Sequence, residues 1–288
     1  VPVAMADISD LKMTIITNDP AKRYYYTLLF GDKYRVKIAT RNVNIPGIQN
    51  FRDLGGYPSY STKKQVRWGM IYRSAEIDSL ECYSRRELRN LGIKTLIDLR
   101  ASSETGRQSP LQKEFNVVHI PLATGDMENI LKGIREEKIK SDTVYRMVEQ
   151  MNRDLIDKYT TEYRQIFDIL LDKNSYPVVI HCSSGKGRTG IVSALVLAAL
   201  GINEDIIMED YRLSNDYFNI PSASKDAYQL PARSQEAITT LFSAREDFLN
   251  AAKEEAERRY GDIDSYLQKG IGLNKDEIKR LRSILLSD

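Results

Sequence analysis

The stretch VVIHCSSGKGRTG, Val178 to Gly190, passes from a β-branched apolar run into a small polar loop, and IVSALVLAAL follows from Ile191 to Leu200. The first run predicts a buried strand and the second a helix beginning near Thr189. A strand ending there leaves Cys182 at the mouth of the loop. Ser183, Ser184, Gly185, Lys186 and Gly187 then fold back in a tight turn, with Gly185 and Gly187 expected to take backbone angles closed to other residues. Such a turn aims successive N–H groups into one hollow, and the positive end of the helix dipole adds to the field, so the loop suits a phosphate. The same field favours a thiolate at Cys182. Arg188 closes the Cys-x5-Arg spacing and offers a planar fork to two phosphate oxygens. Nucleophile, cradle and clamp in one loop fit attack of a thiolate on a phosphomonoester, giving a cysteinyl phosphate that water then hydrolyses. Thr189, beside the clamp, is placed to donate to the departing thiolate. Taken alone, a Cys and an Arg at this spacing are a chance pair; the strand before them, His181 and the inner glycines give the spacing its meaning.

Composition narrows the classes. The 288 residues are 42% hydrophobic and 28% charged, enough for one sizeable globular domain with or without a small appendage. Lys and Arg number 42 against 40 Asp and Glu, a net charge of +2. That balance argues against a nucleic-acid partner and leaves room for a local basic pocket. Cys82 and Cys182 give no disulfide framework, and two histidines give little basis for a His-rich metal site, so no metal and no cofactor is expected. The longest apolar run, Ile191 to Leu200, falls short of the ~18 to 20 residues that span a bilayer, and no transmembrane segment is expected. Near the start, Ala4-Met5-Ala6 has the small-x-small form that precedes signal-peptidase cleavage, and export to the periplasm or medium is the expectation.

Outward from the loop, two patterns appear. Residues 1–45 read as a β appendage: KMTIIT, RYYYTLLF, a turn at Gly31-Asp32, and KYRVKIAT. Pro46-Gly47 marks a break. From residue 46 to 288 strands alternate with helices, predicting an α/β domain with a mostly parallel sheet flanked by helices. VRWGMIYRS reads as extended, SRRELRNLG as a helix closed by glycine, KTLIDL and NVVHIPL as strands. Residues 126–173 are helical by pattern, with apolar positions at Leu155, Tyr159, Tyr163, Ile166, Phe167 and Leu170, and are read either as an ordinary solvated helical pair or as a lid over the loop. Arg233 to Ser287 reads as helix throughout, with Asn274 and Glu277 as a capping pair.

HCSSGKGRTG resembles the signature loop of the cysteine-dependent protein tyrosine and dual-specificity phosphatases. NFRDLGGY, IYRSAEI, TLIDLR and EDYRLSN, in that order, are similar to motifs of the bacterial tyrosine phosphatase family, which includes secreted virulence phosphatases. The resemblance runs from about Ile45 to the C-terminus and implies that family's fold and a metal-independent hydrolysis of phosphotyrosine. Many members carry Gly-Lys-Asp-Arg, the Asp serving as general acid; this chain has Gly185-Lys186-Gly187-Arg188. That form resembles the loop of eukaryotic phosphoinositide phosphatases, which take their acid from a separate loop. Phosphoinositides are therefore an alternative substrate, and Lys186, if turned inward, would meet a second phosphate.

The corresponding separate loop is HIPLATGD, which makes Asp126 the acid candidate; its other reading is a cap on the helix from Met127. Asp98, ending TLID, is a second candidate, alternatively paired with Arg100. Arg52 and Asp53 either brace the phosphate loop or belong to a turn before Gly55-Gly56. His181 is read as holding the loop rather than moving protons, and Cys82 as a bystander. Two rivals stand beside the hydrolase: a phosphate-binding module that turns over little, and sulfur or arsenate chemistry, which wants a resolving thiol that only Cys82 could supply.

Overall fold

The computed structural model describes residues 3–17, 22–31, 34–78, 80–105 and 110–287. The chain opens with an antiparallel hairpin, β1 (Tyr25–Phe30) and β2 (Tyr34–Ala39); Asp32 of the expected turn lies outside the described residues. Lys12–Thr17 is not a strand: no described strand pairs with it, and Ile15 and Ile16 are exposed. The hairpin is tied to the rest of the chain by polar contacts, with Trp68 Nε1 donating to the Lys37 carbonyl at 2.8 Å and Arg23 donating to Asp53 at 2.6 Å.

Next come β3 (Arg52–Asp53), β4 (Pro58–Ser59), β5 (Lys64–Val66) and β6 (Ile71–Ser74). The extended run expected over Val66–Ser74 is thus split, because Gly69 takes a positive φ of 78° and turns the chain. Helix α1 (Cys82–Asn90), β7 (Thr95–Asp98) and β8 (Asn116–His119) follow. The helical stretch after them is three elements, α2 (Met127–Arg135), α3 (Ser141–Lys158) and α4 (Thr160–Leu171), and β9 (Val178–His181) leads into α5 (Gly187–Ala199). Beyond lie α6 (Glu204–Arg212), the short turns α7 (Ser214–Tyr217) and α8 (Ile220–Ala223), then α9 (Ala232–Phe242), α10 (Glu246–Tyr260), α11 (Ile263–Ser265) and α12 (Lys275–Leu285). Asn274 and Glu277 make the expected reciprocal cap on α12. The last described residues are not helix: Leu286–Ser287 forms β10, which pairs with β5 and continues the small sheet β10-β5-β4.

The central sheet has the order β3-β6-β9-β7-β8, parallel except for β3. Side chains alternate across it, as a pleated strand requires. Val178 and Ile180 join Ile71 and Ile97 in one core, while Val179 joins Tyr72 and Leu96 in the other. Residues of α4, α5 and α12 cover the first face; Leu88 of α1 and the segment holding Ile45 and Phe51 cover the second. Both faces are buried, the usual condition of a parallel sheet. Tyr163, Ile166, Phe167 and Leu170 of α4 keep their 3–4 spacing and are fully buried, each contributing roughly 1.5 to 3 kcal/mol. A separate apolar cluster joins Ile130 and Ile134 of α2, Val144 and Val148 of α3, Ile238 and Leu241 of α9 and Phe248 of α10. Of the segment expected as a lid, α2 and much of α3 therefore pack with α9 and α10, and α4 packs on the sheet.

In register, Ser74 and Asp98 both lie opposite His181. The chain leaving β6, β7 and β9 thus emerges at one sheet edge, the carboxyl ends of the parallel strands, where open α/β sheets bind ligands. Cys182 is the first residue past that edge.

Candidate active site

Three carbonyls of the turn after Cys182 are held from outside it, and the fourth opens α5. Ser183 O accepts from Glu76 N at 3.2 Å, Ser184 O and Gly185 O accept from Asn50 Nδ2 at 3.1 Å each, and Gly185 O also accepts from Arg73 Nη2 at 2.8 Å. Lys186 O accepts from Gly190 N at 2.8 Å, the first bond of α5. In a trans peptide the N–H points opposite to the carbonyl of the same unit. Carbonyls held outward therefore aim the N–H groups of Ser184, Gly185, Lys186 and Gly187 into the hollow. Gly185 has a φ of +67°, and a Cβ there would stand 2.4 Å from Ser74 C and O, so the turn needs glycine twice over. Gly187 differs from expectation: it opens α5, does not take a positive φ, and a Cβ on it would meet nothing within 4 Å.

Cys182 is 1% exposed. Burial alone would raise its thiol pKa, but the Arg188 charge, the Thr189 hydroxyl and the N–H groups of Thr189 and Gly185 outweigh it and lower the pKa. Among the described residues the Thr189 hydroxyl has no other partner. His181 is buried, its Nδ1 lies 3.9 Å from Asp98 Oδ1 and unbonded, and burial pushes its pKa down to about 4. The imidazole is neutral at pH 7.

Arg188 is buried and held by a residue that the sequence reading passed over. Glu104 takes Nη1 and Nη2 on its two oxygens at 2.5 and 2.8 Å, and Ser183 Oγ donates to the same carboxylate at 2.6 Å. Against burial, these bonds bring the Glu104 pKa down to about 2. Arg188 Nη1 also reaches the carbonyls of Leu99 at 3.4 Å and Leu122 at 3.3 Å. A carboxylate in the arginine fork occupies the geometry that two phosphate oxygens would take.

Beneath the loop lies a buried network. Arg73 Nη1 donates to Asp210 Oδ2 at 2.6 Å, Arg52 Nη2 to the Asp210 carbonyl at 2.8 Å and to Ser214 Oγ at 3.1 Å, and Tyr57 to Asp210 Oδ1 at 2.9 Å. Arg52 Nη1 bonds the Asn50 amide oxygen, so it acts on the loop through Asn50. Burial first and Arg73 next push the Arg52 pKa down to about 10, while the two guanidiniums keep Asp210 below the ordinary carboxylate range against its burial. Two arginines on one aspartate leave a net positive charge under the cradle.

The other expected residues are spread more widely. Asp53 does not touch the loop; its oxygens accept from Gly55 N and Gly69 N at 2.7 Å each and from Arg23. Asp98 receives Arg100 on both oxygens, at 3.0 Å and 2.7 Å. Against burial, that pairing lowers its pKa. Asp126 is exposed and caps α2, accepting from Asn129 N at 3.0 Å and from Asn129 Nδ2 at 2.5 Å. Lys186 is no surface lysine: its nitrogen donates to the Leu241 carbonyl of α9 at 2.5 Å, and burial drops its pKa to about 7. Cys82 is exposed at the start of α1. Glu76, whose N–H holds Ser183, has its carboxyl pKa raised by burial and by Asp78. Asn50, Arg73, Glu76 and Asp210 all fall in the motif stretches quoted above, the only sequence signal that marked them; Glu104 had none.

A family model described as the tyrosine phosphatase family matches residues 43–287. The chain belongs to the tyrosine phosphatase family. It is 30% identical over 285 residues to the triple specificity protein phosphatase PtpB of Mycobacterium tuberculosis, covering 84% of this chain and 98% of that protein. A putative tyrosine-protein phosphatase of Cupriavidus necator is 25% identical, covering 81% of this chain and 85% of its own. Among solved structures, Pseudomonas aeruginosa TpbA is 14% identical and covers 62% of this chain and 89% of its own, with a TM-score of 0.30, too low to mean a shared overall arrangement. By family the chain is a phosphoric monoester hydrolase, a phosphatase. Among the described residues no helix is long and apolar enough to cross a membrane.

Proposed function

We propose that the phosphatase hydrolyses phosphotyrosine in proteins through a cysteinyl-phosphate intermediate on Cys182, without a metal. The observation that carries this reading is a buried thiol of lowered pKa set against Arg188 and inward N–H groups. The thiolate attacks phosphorus, and the P–O bond to the leaving group breaks while the cradle and Arg188 hold the equatorial oxygens. Water then attacks the phosphocysteine, releasing phosphate and a thiolate that Thr189 stabilises.

Protonation of the leaving oxygen is assigned to Asp126. In support, the segment that carries it departs from the Leu122 carbonyl against Arg188. The carboxylate must leave its cap on Asn129 to act. Asp126→Asn is expected to slow poor leaving groups by ~10² to 10⁴ and activated aryl phosphates much less; equal losses on both would take the role away from Asp126.

The central test is Cys182→Ser. Turnover should vanish while phosphate-ester binding persists, and rapid quench in the presence of chelator should trap a phosphoenzyme in the natural protein only. Near-normal turnover by the serine variant sinks the mechanism, and binding without a phosphoenzyme in the natural protein restores the rival of a cradle that does not turn over. A panel of phosphotyrosine peptides against phosphoinositides decides the substrate class.

A further inference from the structure

Past its first turn, one side of α5 is not packed solid. Ile191, Ala194 and Ala198 line a cleft of about 440 Å³ that opens to solvent on one side, with Met208 of α6, Ala252 of α10 and Ile263 of α11 among the residues across it. Protein interiors hold few voids larger than a water molecule, whereas pockets for small ligands run from ~300 to 1,000 Å³. The origin of the hollow is local: alanines stand at i and i+4 on α5 and face another alanine on α10, so the helices meet without side chains to fill the gap. None of the cradle residues lines it.

The rim is polar and unbalanced in charge. Glu204, Asp262 and Asp264 border the cavity with a single cation, Lys253. That lysine is already engaged, 2.5 Å from Glu204 and 3.7 Å from Glu257. Asp262 and Asp264 have no lysine or arginine among the lining residues; Asp262 accepts from Ser265 N at 2.6 Å as the cap of α11, and the charge of Lys269, outside the lining, reaches it, which leaves Asp264 as the carboxylate with no such partner among the described contacts. An apolar interior under an acidic rim selects an apolar body bearing a positive head.

We propose that this cavity is a second binding site, separate from the phosphate cradle, for a small amphiphile with an apolar body and a single ammonium head at Asp262 and Asp264. The apolar body displaces unfavourable surface from water, and the head finds the surplus carboxylates.

The test is methyl NMR of the full chain, labelled at Ile and Met methyls and titrated with decyltrimethylammonium or decyl sulfate below their micelle concentrations. Saturable shifts are expected at Ile191, Ile207, Met208 and Ile263, unmoved by saturating inorganic phosphate, with decyl sulfate bound roughly tenfold more weakly because each exposed charge pair contributes a fraction of a kcal/mol. Ala198→Leu, which fills the hollow, should abolish the shifts. Asp264→Lys, on an exposed position that leaves the core alone, should weaken the cationic probe several-fold and tighten the anionic one. Equal affinity for both probes, absence of saturable shifts at these methyls, or indifference to Asp264→Lys would overturn the assignment.

Discussion

Two arginine–carboxylate systems hold the loop that carries Cys182, one from below and one at its mouth, and water reaches them differently. Below, the side chains of Arg52, Arg73 and Asp210 are 0%, 0% and 2% exposed. At the mouth, Arg188 and Glu104 are 7% and 25% exposed. The lower system sits between β3, β6 and α6 with no route for exchange, so it acts as fixed scaffold: it turns the carbonyls of Ser184 and Gly185 outward and keeps them there. The upper pair is reached by water at its Glu104 side, so under the proposed function it is the exchangeable one, with phosphate taking the place that the Glu104 carboxylate holds. A loop that must be rigid in its backbone and open in its clamp places its unexchangeable charges underneath and its exchangeable one at the edge.

The largest effect expected from breaking this contrast is at Asp210. Asp210→Asn leaves two buried guanidiniums without their counter-charge, and removing one partner of a buried pair costs ~3 to 5 kcal/mol. Urea unfolding should show that loss together with a fall in activity. A loss under ~1 kcal/mol would mean that Tyr57, Ser214 and backbone carry the brace.

The second test uses proton linkage at His181, on the fixed side of the site. Its folded pKa is about 4 against an ordinary 6.5. Between those values the unfolded chain binds more protons than the folded one. Stability from this group is therefore full above pH 6.5 and lost as pH falls toward 4, by at most roughly 3.4 kcal/mol at about 1.36 kcal/mol per unit. The urea midpoint of His181→Gln should vary less with pH across that window. Parallel profiles for the two proteins would show that the imidazole is not held neutral by burial.

The smallest expected effect is at the mouth. Glu104→Gln removes a negative charge from the fork that phosphate must enter, so the inhibition constant of inorganic phosphate should fall several-fold with little change in unfolding, since a part-exposed pair contributes ~1 kcal/mol or less. Weaker phosphate binding in this variant would instead show that the carboxylate holds Arg188 in its productive pose.

Legibility followed sequence distance. The strand, the turn and the helix from Val178 to Ala199 were readable because each rests on neighbours: β-branched side chains, a glycine at Gly185, an apolar run. The α/β alternation and the α12 cap were readable for the same reason. Misreadings occurred where local pattern met a distant partner. Lys12–Thr17 has strand-like composition and no described strand beside it; Leu286 has helical neighbours and pairs with Val66. For Asp126 and Asp98 the sequence left two readings each, acid or helix cap and acid or Arg100 partner, and the contacts show the cap on α2 and the pairing with Arg100 without deciding which carboxylate moves a proton.

By itself the sequence determined a cysteine and an arginine on one short loop between a buried strand and a helix, the pair on which the proposed phosphate chemistry rests. Local chemistry suffices for that, because the N–H groups, the thiol and the guanidinium all come from one short run of residues. Tertiary structure decided what holds them: Asp210 reaches Arg52 across 158 residues and Glu104 reaches Arg188 across 84. Charges buried that far apart in the chain find each other only when the sheet and its helices close around them, since burial without a partner costs more than either residue alone could offset.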